Sequence, residues 1–208
     1  MPDKISIAII GYSGHSFVVL DAAKQMGLDV EYYCERNTAS VNPFEINYLG
    51  DEGSKFFDWN SIDKFILGIG DNKVRQKVAR LIVSKKKAIL NVIHPTAFLS
   101  NFATFGTGNF IAANVTVNAL AKIADNCILN TGCIIEHECV IESGVHIAPG
   151  TVLAGNVSVG ENSFIGANSV LKQGVKIGNG VTVGAGSVVI TNIPNNEIWV
   201  GNPAKKLK

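Results

Sequence analysis

The chain has 208 residues, of which 18 are Lys or Arg and 17 are Asp or Glu, so its formal net charge is +1. So small a charge excludes a general attraction to nucleic acid or to an anionic membrane, and any ligand must be held by a local site. The sequence has no apolar stretch long enough for a membrane span and no secretory signal pattern, so we expect a cytoplasmic protein.

Residues 1–90 alternate short apolar runs with helical patterns, which predicts a small open parallel sheet of the βαβ kind. The predicted strands cover residues 4–10, 29–34 and 64–69. The predicted helices cover residues 16–26 and 71–84, the second with Lys and Arg on its outer face. The composition changes near residue 90, so residues 91–208 are expected to form a second domain.

Three turns follow the predicted strands, at residues 11–15, 35–37 and 68–72. In open parallel sheets such turns lie at one edge, where backbone N–H groups and a helix N-terminus can face a phosphate. The first turn is not the GxGxxG of dinucleotide binding, and tight packing of strand on helix would also explain its glycines. His15 could cap the helix, bind a hydroxyl group or have no role.

From Ile93 to Val189 a large apolar residue returns at every sixth position, seventeen times in one register. A second series of mostly small residues follows four positions later, with Gly and Asn between them. A period of six fits three short strands per turn of a parallel coil, so we predict a β-helix of hexapeptide repeats with Gly and Asn at its corners.

Three of the four cysteines, Cys127, Cys133 and Cys139, occupy the small inward position of successive hexads. Packing therefore explains them, and their spacing does not match a zinc site. Cys34 ends a predicted strand and is expected to be buried.

His137 and Glu138 fall on the outside of the coil at a corner, and His146, nine residues later, also points outward. Imidazole is suited to proton transfer near neutral pH, although most exposed histidines on a repeat protein are inert. A zinc site between subunits is the competing interpretation, but the third histidine that it needs is missing.

Five segments carry a family resemblance that covers essentially the whole chain: GYSGHSFVVLDAA, GIGDNKVR, NVIHPTA, LNTGCIIEHECVIESGVHIAPG and WVGNPAKKLK. They resemble the bacterial nucleotide-sugar acetyltransferases of the hexapeptide-repeat family, in the group of UDP-N-acetylbacillosamine N-acetyltransferase and sialic acid O-acetyltransferase. The resemblance implies a Rossmann-like N-terminal domain, a left-handed β-helix with a C-terminal cap, and a homotrimer with active sites between neighbouring coils. It also implies acetyl-CoA as co-substrate and no metal.

Carried over by resemblance, His137 corresponds to the catalytic base and Glu138 to its carboxylate partner. The acetyl-CoA positions are His146, Gly155, Ala167 and Ala185. The positions for the nucleotide sugar are Ser13, Gly14, His15, Glu35, Arg36, Gly70 and, near the acceptor, Asn130. The chain has Cys-Glu-Arg at residues 34–36, where relatives often have Asp-Asp or Asp-Lys, and GDN at residues 70–72, where Gly-Asn-Asn is common.

The implied reaction is acetylation of the amino group of a UDP-4-amino-4,6-dideoxy-N-acetylhexosamine type of nucleotide sugar, with UDP, dTDP and GDP all open as the carrier. His137 would accept the amine proton, and the N–H of Gly155 could stabilise the oxyanion. Three alternatives remain: a sugar O-acetyltransferase of the sialic acid type, a zinc-dependent hydratase and a non-catalytic β-helix scaffold.

Overall fold

A computed structural model describes residues 5–207 of the chain. The first residue of the predicted N-terminal strand, Lys4, and the last residue of the chain, Lys208, lie outside the described residues. Within them the chain forms a parallel sheet with two helices, followed by a long three-faced coil.

The N-terminal sheet is parallel throughout, in the order β3-β2-β1-β4-β5. Its elements are β1 (Ile7–Ile10), α1 (Gly14–Gln25), β2 (Tyr32–Cys34), β3 (Asn47–Gly50), β4 (Lys64–Leu67), α2 (Asn72–Ser84) and β5 (Ala88–Ile89), with a short 3-10 helix at Trp59–Ser61. The three predicted strands and both predicted helices are therefore confirmed, whereas β3 and β5 were missed. The strand order changes direction between β1 and β4, which places the switch point of the sheet beside the turns that follow these two strands.

Strand β1 is buried on both sides, because its side chains alternate between the two helices. Ile7 and Ile9 belong to the apolar cluster that includes α1, and Ala8 and Ile10 to the cluster that includes α2. Burying each large aliphatic side chain of this kind is worth roughly 1.5–3 kcal/mol. As predicted, Asp71 caps the helix α2, because its Oδ1 accepts a hydrogen bond from the N–H of Val74 at 2.9 Å.

The coil consists of seventeen two-residue strands, each six residues after the last. They are β6 (Val92–Ile93), β7 (Phe98–Leu99), β8 (Thr104–Phe105), β9 (Phe110–Ile111), β10 (Thr116–Val117), β11 (Lys122–Ile123), β12 (Ile128–Leu129), β13 (Ile134–Ile135), β14 (Val140–Ile141), β15 (His146–Ile147), β16 (Val152–Leu153), β17 (Ser158–Val159), β18 (Phe164–Ile165), β19 (Val170–Leu171), β20 (Lys176–Ile177), β21 (Thr182–Val183) and β22 (Val188–Val189).

Each strand from β6 to β19 pairs in parallel with the strand three places on, so that Val117 lies beside Ile135 and Ile135 beside Leu153. This pairing makes three sheets, which we name the first face (β6, β9, β12, β15, β18, β21), the second face (β7, β10, β13, β16, β19, β22) and the third face (β8, β11, β14, β17, β20). Strands β23 (Ile198–Val200) and β24 (Lys205–Lys206) extend the first face. The coil is a left-handed parallel β-helix of about six turns, because its seventeen strands are arranged three to a turn.

The predicted inward series fills the interior from Ile111 to Val189, and each of its members there is at most 4% exposed. The first three members, Ile93, Leu99 and Phe105, are only partly buried because the first turn has no coil beneath it. The thiols of Cys127, Cys133 and Cys139 are fully buried as predicted. Burial raises the pKa of Cys127 and that of Cys133 to about 12.

The glycines of the coil serve two different purposes. Corner residues such as Gly144 and Asn156 have φ values of 71° and 57°, as predicted for left-handed positions. Glycines directly after a large residue are instead required by close approach of the next coil, which corrects the expectation that they serve left-handed corners. A Cβ on Gly166 would lie 2.5 Å from the backbone nitrogen of Ala185.

The N-terminal sheet and its helices lie against the first face of the coil. The side chain of Asn72 donates hydrogen bonds to the carbonyls of Asn162 and Ser163 at 3.1 and 3.0 Å. The ring of His15 packs edge-on against Phe110, with centroids 5.6 Å apart. Along residues 5–207, no helix combines the length and apolar character that crossing a membrane requires.

Candidate active site

A cleft of about 670 Å³ opens at the carboxyl ends of β1, β2 and β4. Four residues predicted to bind the nucleotide sugar line it, namely Ser13, Glu35, Arg36 and Gly70. The N–H of Ser13 donates to the hydroxyl of Ser16 at 2.7 Å, while the side chain of Ser13 stays exposed. The cleft thus combines a helix N-terminus with glycine turns at a switch point, which is the usual place for a ligand in such sheets.

Glu35 holds the first two turns of the cleft together. Its Oε2 accepts a hydrogen bond from the N–H of Tyr12 at 3.2 Å, and its Oε1 accepts one from the N–H of Arg36 at 3.1 Å. The carboxylate therefore links the turn after β1 to the turn after β2, in addition to lining the cleft.

Sequence reasoning missed three charged residues of the cleft, Asp51, Glu52 and Lys77. Burial raises the pKa of Glu52, as do the negative charges of Asp51 and Glu35. Both missed acids follow β3, a strand that the sequence did not predict. Lys77 lies on α2, where helical periodicity alone cannot tell which lysine faces a ligand.

The two other predicted residues of the first turn have different surroundings. A Cβ on Gly14 would have no atom within 4 Å, so space is open above the start of α1. His15 does not line the cleft but points to the coil, where its ring centroid lies 6.3 Å from that of His146. Burial, and then the charge of Arg75, lowers the pKa of His15 to about 4.

His137 and Glu138 form an exposed pair at the corner between the second and third faces. The Nδ1 atom of His137 lies 3.0 Å from Oε2 of Glu138, and both side chains are about half exposed, at 52% and 58%. A carboxylate can only accept, so Nδ1 carries the proton and Nε2 presents a lone pair. Glu138 has a left-handed φ of 60°, which turns the chain sharply at this corner.

Gly155 lies one coil above His137, and its Cα is directly against the imidazole. A Cβ at this position would be 2.4 Å from both Cε1 and Nε2 of His137. The N–H of Gly155 donates no hydrogen bond within residues 5–207. At the same place in two other hexads, Thr107 and Glu161, the N–H is bonded to a side chain one coil on.

His146 points outward from the coil as predicted, but the N-terminal part of the chain covers it. Its Nε2 lies 3.3 Å from Nδ2 of Asn130, and its ring packs edge-on against Phe164. Because an amide nitrogen only donates, Nε2 is the acceptor. The backbone of Gly70 lies near the same ring and raises its pKa. Burial, the charge of Arg75 and then His15 lower the pKa of His146 to about 4.

The remaining predicted positions fall on a different corner from His137. Asn130, Ala167 and Ala185 lie between the first and second faces, whereas His137 and Gly155 lie between the second and third. The two corners are one side of the triangle apart, about 20 Å for six extended residues at roughly 3.3 Å each. One copy of the chain therefore does not bring all the predicted site residues together.

Arg75 corrects the expectation that the basic residues of α2 face outward, because it is only 1% exposed. It lies between the cleft and the coil, near the half-buried rings of His15 and His146. Among residues 5–207, no group of three or more His, Cys, Asp or Glu side chains could hold a metal ion.

Two protein families match the chain. Residues 6–82 match the PglD N-terminal domain, and residues 120–155 and 156–191 match the bacterial transferase hexapeptide, a unit of six repeats. The two matches coincide with the N-terminal sheet and with the middle and end of the coil.

Solved structures resemble the whole chain. A GDP-perosamine N-acetyltransferase from Caulobacter crescentus, in complex with CoA and GDP-perosamine, is 31% identical, covers 98% of this chain and 97% of its own, and superposes with a TM-score of 0.90. The acetyltransferase domain of PglB from Neisseria gonorrhoeae, in complex with acetyl coenzyme A, is 32% identical with a TM-score of 0.91, covering 97% of this chain and 98% of its own. WeeI from Acinetobacter baumannii, 22% identical over 98% of this chain and 100% of its own, shares the fold with a TM-score of 0.88.

The family matches and the sequence identity along the full length both indicate an acetyltransferase. They select acetyl transfer over the hydratase and scaffold alternatives. The chain belongs to the hexapeptide-repeat acetyltransferases that carry a PglD N-terminal domain.

Proposed function

We propose that the protein transfers the acetyl group of acetyl-CoA to the amino group of an amino-deoxy sugar linked to a nucleoside diphosphate. The observation that carries this proposal is the pairing of His137 with Glu138, because it leaves Nε2 as an exposed proton acceptor. The perosamine enzyme and the PglB domain, which bind CoA or acetyl-CoA, support the choice of donor. The GDP-perosamine in the first of these supports the choice of acceptor.

In the proposed reaction the amine nitrogen attacks the thioester carbonyl while Nε2 of His137 removes a proton from it. Collapse of the tetrahedral intermediate breaks the carbon–sulfur bond, and the imidazolium protonates the departing thiolate of CoA. Glu138 holds the imidazole in the required tautomer throughout. General-base catalysis of this kind contributes on the order of 10²–10⁴-fold, and positioning of two bound substrates contributes further.

Gly155 supplies the donor for the oxyanion of that intermediate. Its N–H has no acceptor within the described part of the chain and lies beside the imidazole. A backbone N–H aimed at the developing charge costs no reorganisation during the reaction.

The active site requires two copies of the chain, and we propose a homotrimer. The second face turns apolar side chains outward, at Phe98, Ile134, Val152, Val170 and Val188, whereas the third face turns out mainly polar ones. Phe98 is 60% exposed and Val170 is 43% exposed in a single chain. Packing this face against a second copy brings the corner of His137 towards the corner of Asn130 on the neighbour.

The nucleotide occupies the cleft of the N-terminal sheet, with its phosphates at the glycine turns and the start of α1. The acetyl-CoA lies along the intersubunit groove, against Ala167 and Ala185 of one copy and Gly155 of the next.

All four cysteines are free and buried, which fits a reducing compartment and supports a cytoplasmic location.

A panel of UDP-, dTDP- and GDP-linked amino sugars, with acetyl-CoA as donor, tests the activity. Mass spectrometry of the products should show one added acetyl group as an amide that resists hydroxylamine. A product cleaved by hydroxylamine would be an ester and would indicate an O-acetyltransferase instead. His137→Ala should lower kcat on the order of 10²–10⁴-fold with little change in acetyl-CoA affinity, and Glu138→Gln should lower kcat less. Turnover of His137→Ala within a few-fold of the parent would contradict its role as base.

Mixing two inactive variants tests the intersubunit site. His137→Ala and Asn130→Ala each damage a different corner, so a mixed trimer regains intact sites where unmutated corners meet. Random mixing in equal amounts should restore about a quarter of the sites in a closed three-fold ring. Activity no greater than the sum of the two separate variants would place both residues in one chain's site.

A further inference from the structure

The guanidinium of Arg75 is buried at the junction between α2 and the coil, and all its donors are used. Nε donates to the carbonyl of Asn126 at 2.9 Å. Nη1 donates to the carbonyls of Ile69 and Gly70 at 3.2 and 2.9 Å. Nη2 donates to Oδ1 of Asn72 at 2.8 Å and to the carbonyl of Gly144 at 2.9 Å.

None of these five acceptors is charged, although the carboxylate of Asp71 lies near enough to raise the pKa of the guanidinium. Burial lowers the pKa of Arg75 to about 10, which leaves it protonated at neutral pH. Stability alone is a poor reason for such an arrangement, because apolar side chains of similar volume usually serve a buried site at least as well.

The hydrogen bonds of Arg75 connect the cleft to the coil. Ile69 and Gly70 form the turn after β4 that lines the cleft, while Asn126 and Gly144 occupy one corner of successive coils. Asn72, held by the same guanidinium, reaches the next coil at Asn162. Arg75 thus ties the turn after β4 directly to two consecutive levels of the β-helix, and Asn72 extends the connection to a third.

The same turn contacts His146. The backbone of Gly70, whose carbonyl accepts from Arg75, also lies near the imidazole of His146 and raises its pKa, while Nε2 of that ring faces Asn130. The charged and titratable groups that act on His146 are Arg75 from α2 and His15 from α1. A shift of the turn would therefore move the cleft and the His146 side of the acetyl-transfer site relative to each other.

We propose that Arg75 is a positioning residue for acetyl transfer. Its guanidinium fixes the turn at Gly70 on the coil, so that an acceptor sugar held in the cleft is correctly placed for His137. The proposal rests on the proposed function for its kinetic consequence. Its structural consequence, the rigidity of the Gly70 turn, does not depend on that function.

The test compares Arg75→Met, which removes charge and donors, with Arg75→Lys, which keeps the charge but loses the five-donor fork. Arg80→Met, an exposed position on the same helix, is the matched control. Both Arg75 variants should lower kcat about 10- to 100-fold, as misplacement by about 1 Å does. The affinities for CoA alone and for UDP or GDP alone should stay within threefold of the parent, because the intersubunit groove for CoA and the cleft for the nucleotide are each left intact.

Two readouts need no activity. Amide hydrogen exchange at Gly68, whose N–H donates to the carbonyl of Ile10 at 2.8 Å at the start of this turn, should become faster in both Arg75 variants and remain unchanged in Arg80→Met. With ¹³C-labelled histidine, of which the chain has four, the pKa of His146 should rise in Arg75→Met and stay low in Arg75→Lys.

The proposal is overturned if the Arg75 variants keep kcat within threefold of the parent or leave exchange at the turn unchanged. A joint loss of both ligand affinities together with the thermal transition also overturns it, since that result marks a purely structural residue. If the parent enzyme acetylates none of the panel sugars, the proposed function fails, while hydrogen exchange and histidine titration still decide the role of Arg75.

Discussion

Replacing Gly155 by Ala probes whether the imidazole of His137 must lie where the structure places it. The new Cβ would be 2.4 Å from Cε1 and Nε2 and 3.1 Å from Nδ1. Non-bonded heavy atoms are most favourable at about 3.5–4.0 Å, so the ring must move by roughly 1 Å or more. The φ of Gly155 lies outside the left-handed region, so Ala introduces no backbone strain of its own.

The imidazole can swing outward because its side chain is 52% exposed, and the variant should therefore fold. A displacement of this size can cost about 10²-fold in rate, or about 2.7 kcal/mol of transition-state stabilisation. Steady-state kinetics should show that loss in kcat, while the affinity for CoA falls far less.

A double-mutant cycle supplies the control. In a His137→Ala background the same Gly155→Ala change has no ring to displace, and it should alter kcat by less than a few-fold. An equal loss of kcat in both backgrounds would refute the reasoning, because the effect of Gly155→Ala would then come from the acetyl-CoA groove alone. A parent-like kcat for the single variant would refute it as well.

Two further predictions concern pH and assembly. His15 and His146 have folded pKa values of about 4, below the ordinary 6.5, so the unfolded chain binds more protons between these values. Stability should fall as the pH drops through that window, by on the order of 3 kcal/mol per histidine at most, as measured by urea unfolding. If the free energy of unfolding still falls with pH at the same slope when both histidines are replaced by Gln, the effect belongs to other groups. Val170→Glu, on the apolar second face, should give monomers by light scattering and abolish turnover, whereas Lys176→Glu on the third face should change neither. A trimeric Val170→Glu would contradict the proposed interface.

The sequence alone determined the coil, because its energetics repeat locally. Each large residue needs only its equivalents one coil away, so a strict six-residue period specifies the inward column from Ile111 to Val189. The same count of eighteen residues per coil places Gly155 above His137. Corner positions, and with them the exposure of His137, also follow from the period.

Tertiary pairing decided the parts of the sheet that carry weak local signals. Strand β3 is largely exposed and β5 has only two residues, so neither has an apolar run of its own. Asp51 and Glu52 enter the cleft only because β3 pairs with β2. Because Asp51 and Glu52 belong to no apolar or helical pattern in the sequence, their position in the cleft could not be predicted.

The burial of Arg75 shows most clearly where sequence reasoning stops. Helical periodicity assigns a basic residue of α2 to the outer surface, and the cost of burying a charge supports that assignment. The turn before α2 and Asn72 supply three of the oxygens that surround it, and only the docking of α2 against the coil supplies the other two, the carbonyls of Asn126 and Gly144. A short-range repeat can be recognised in the sequence itself. The hydrogen-bond partners of a buried charge can lie up to 69 residues away, and they are brought next to it only when the chain folds.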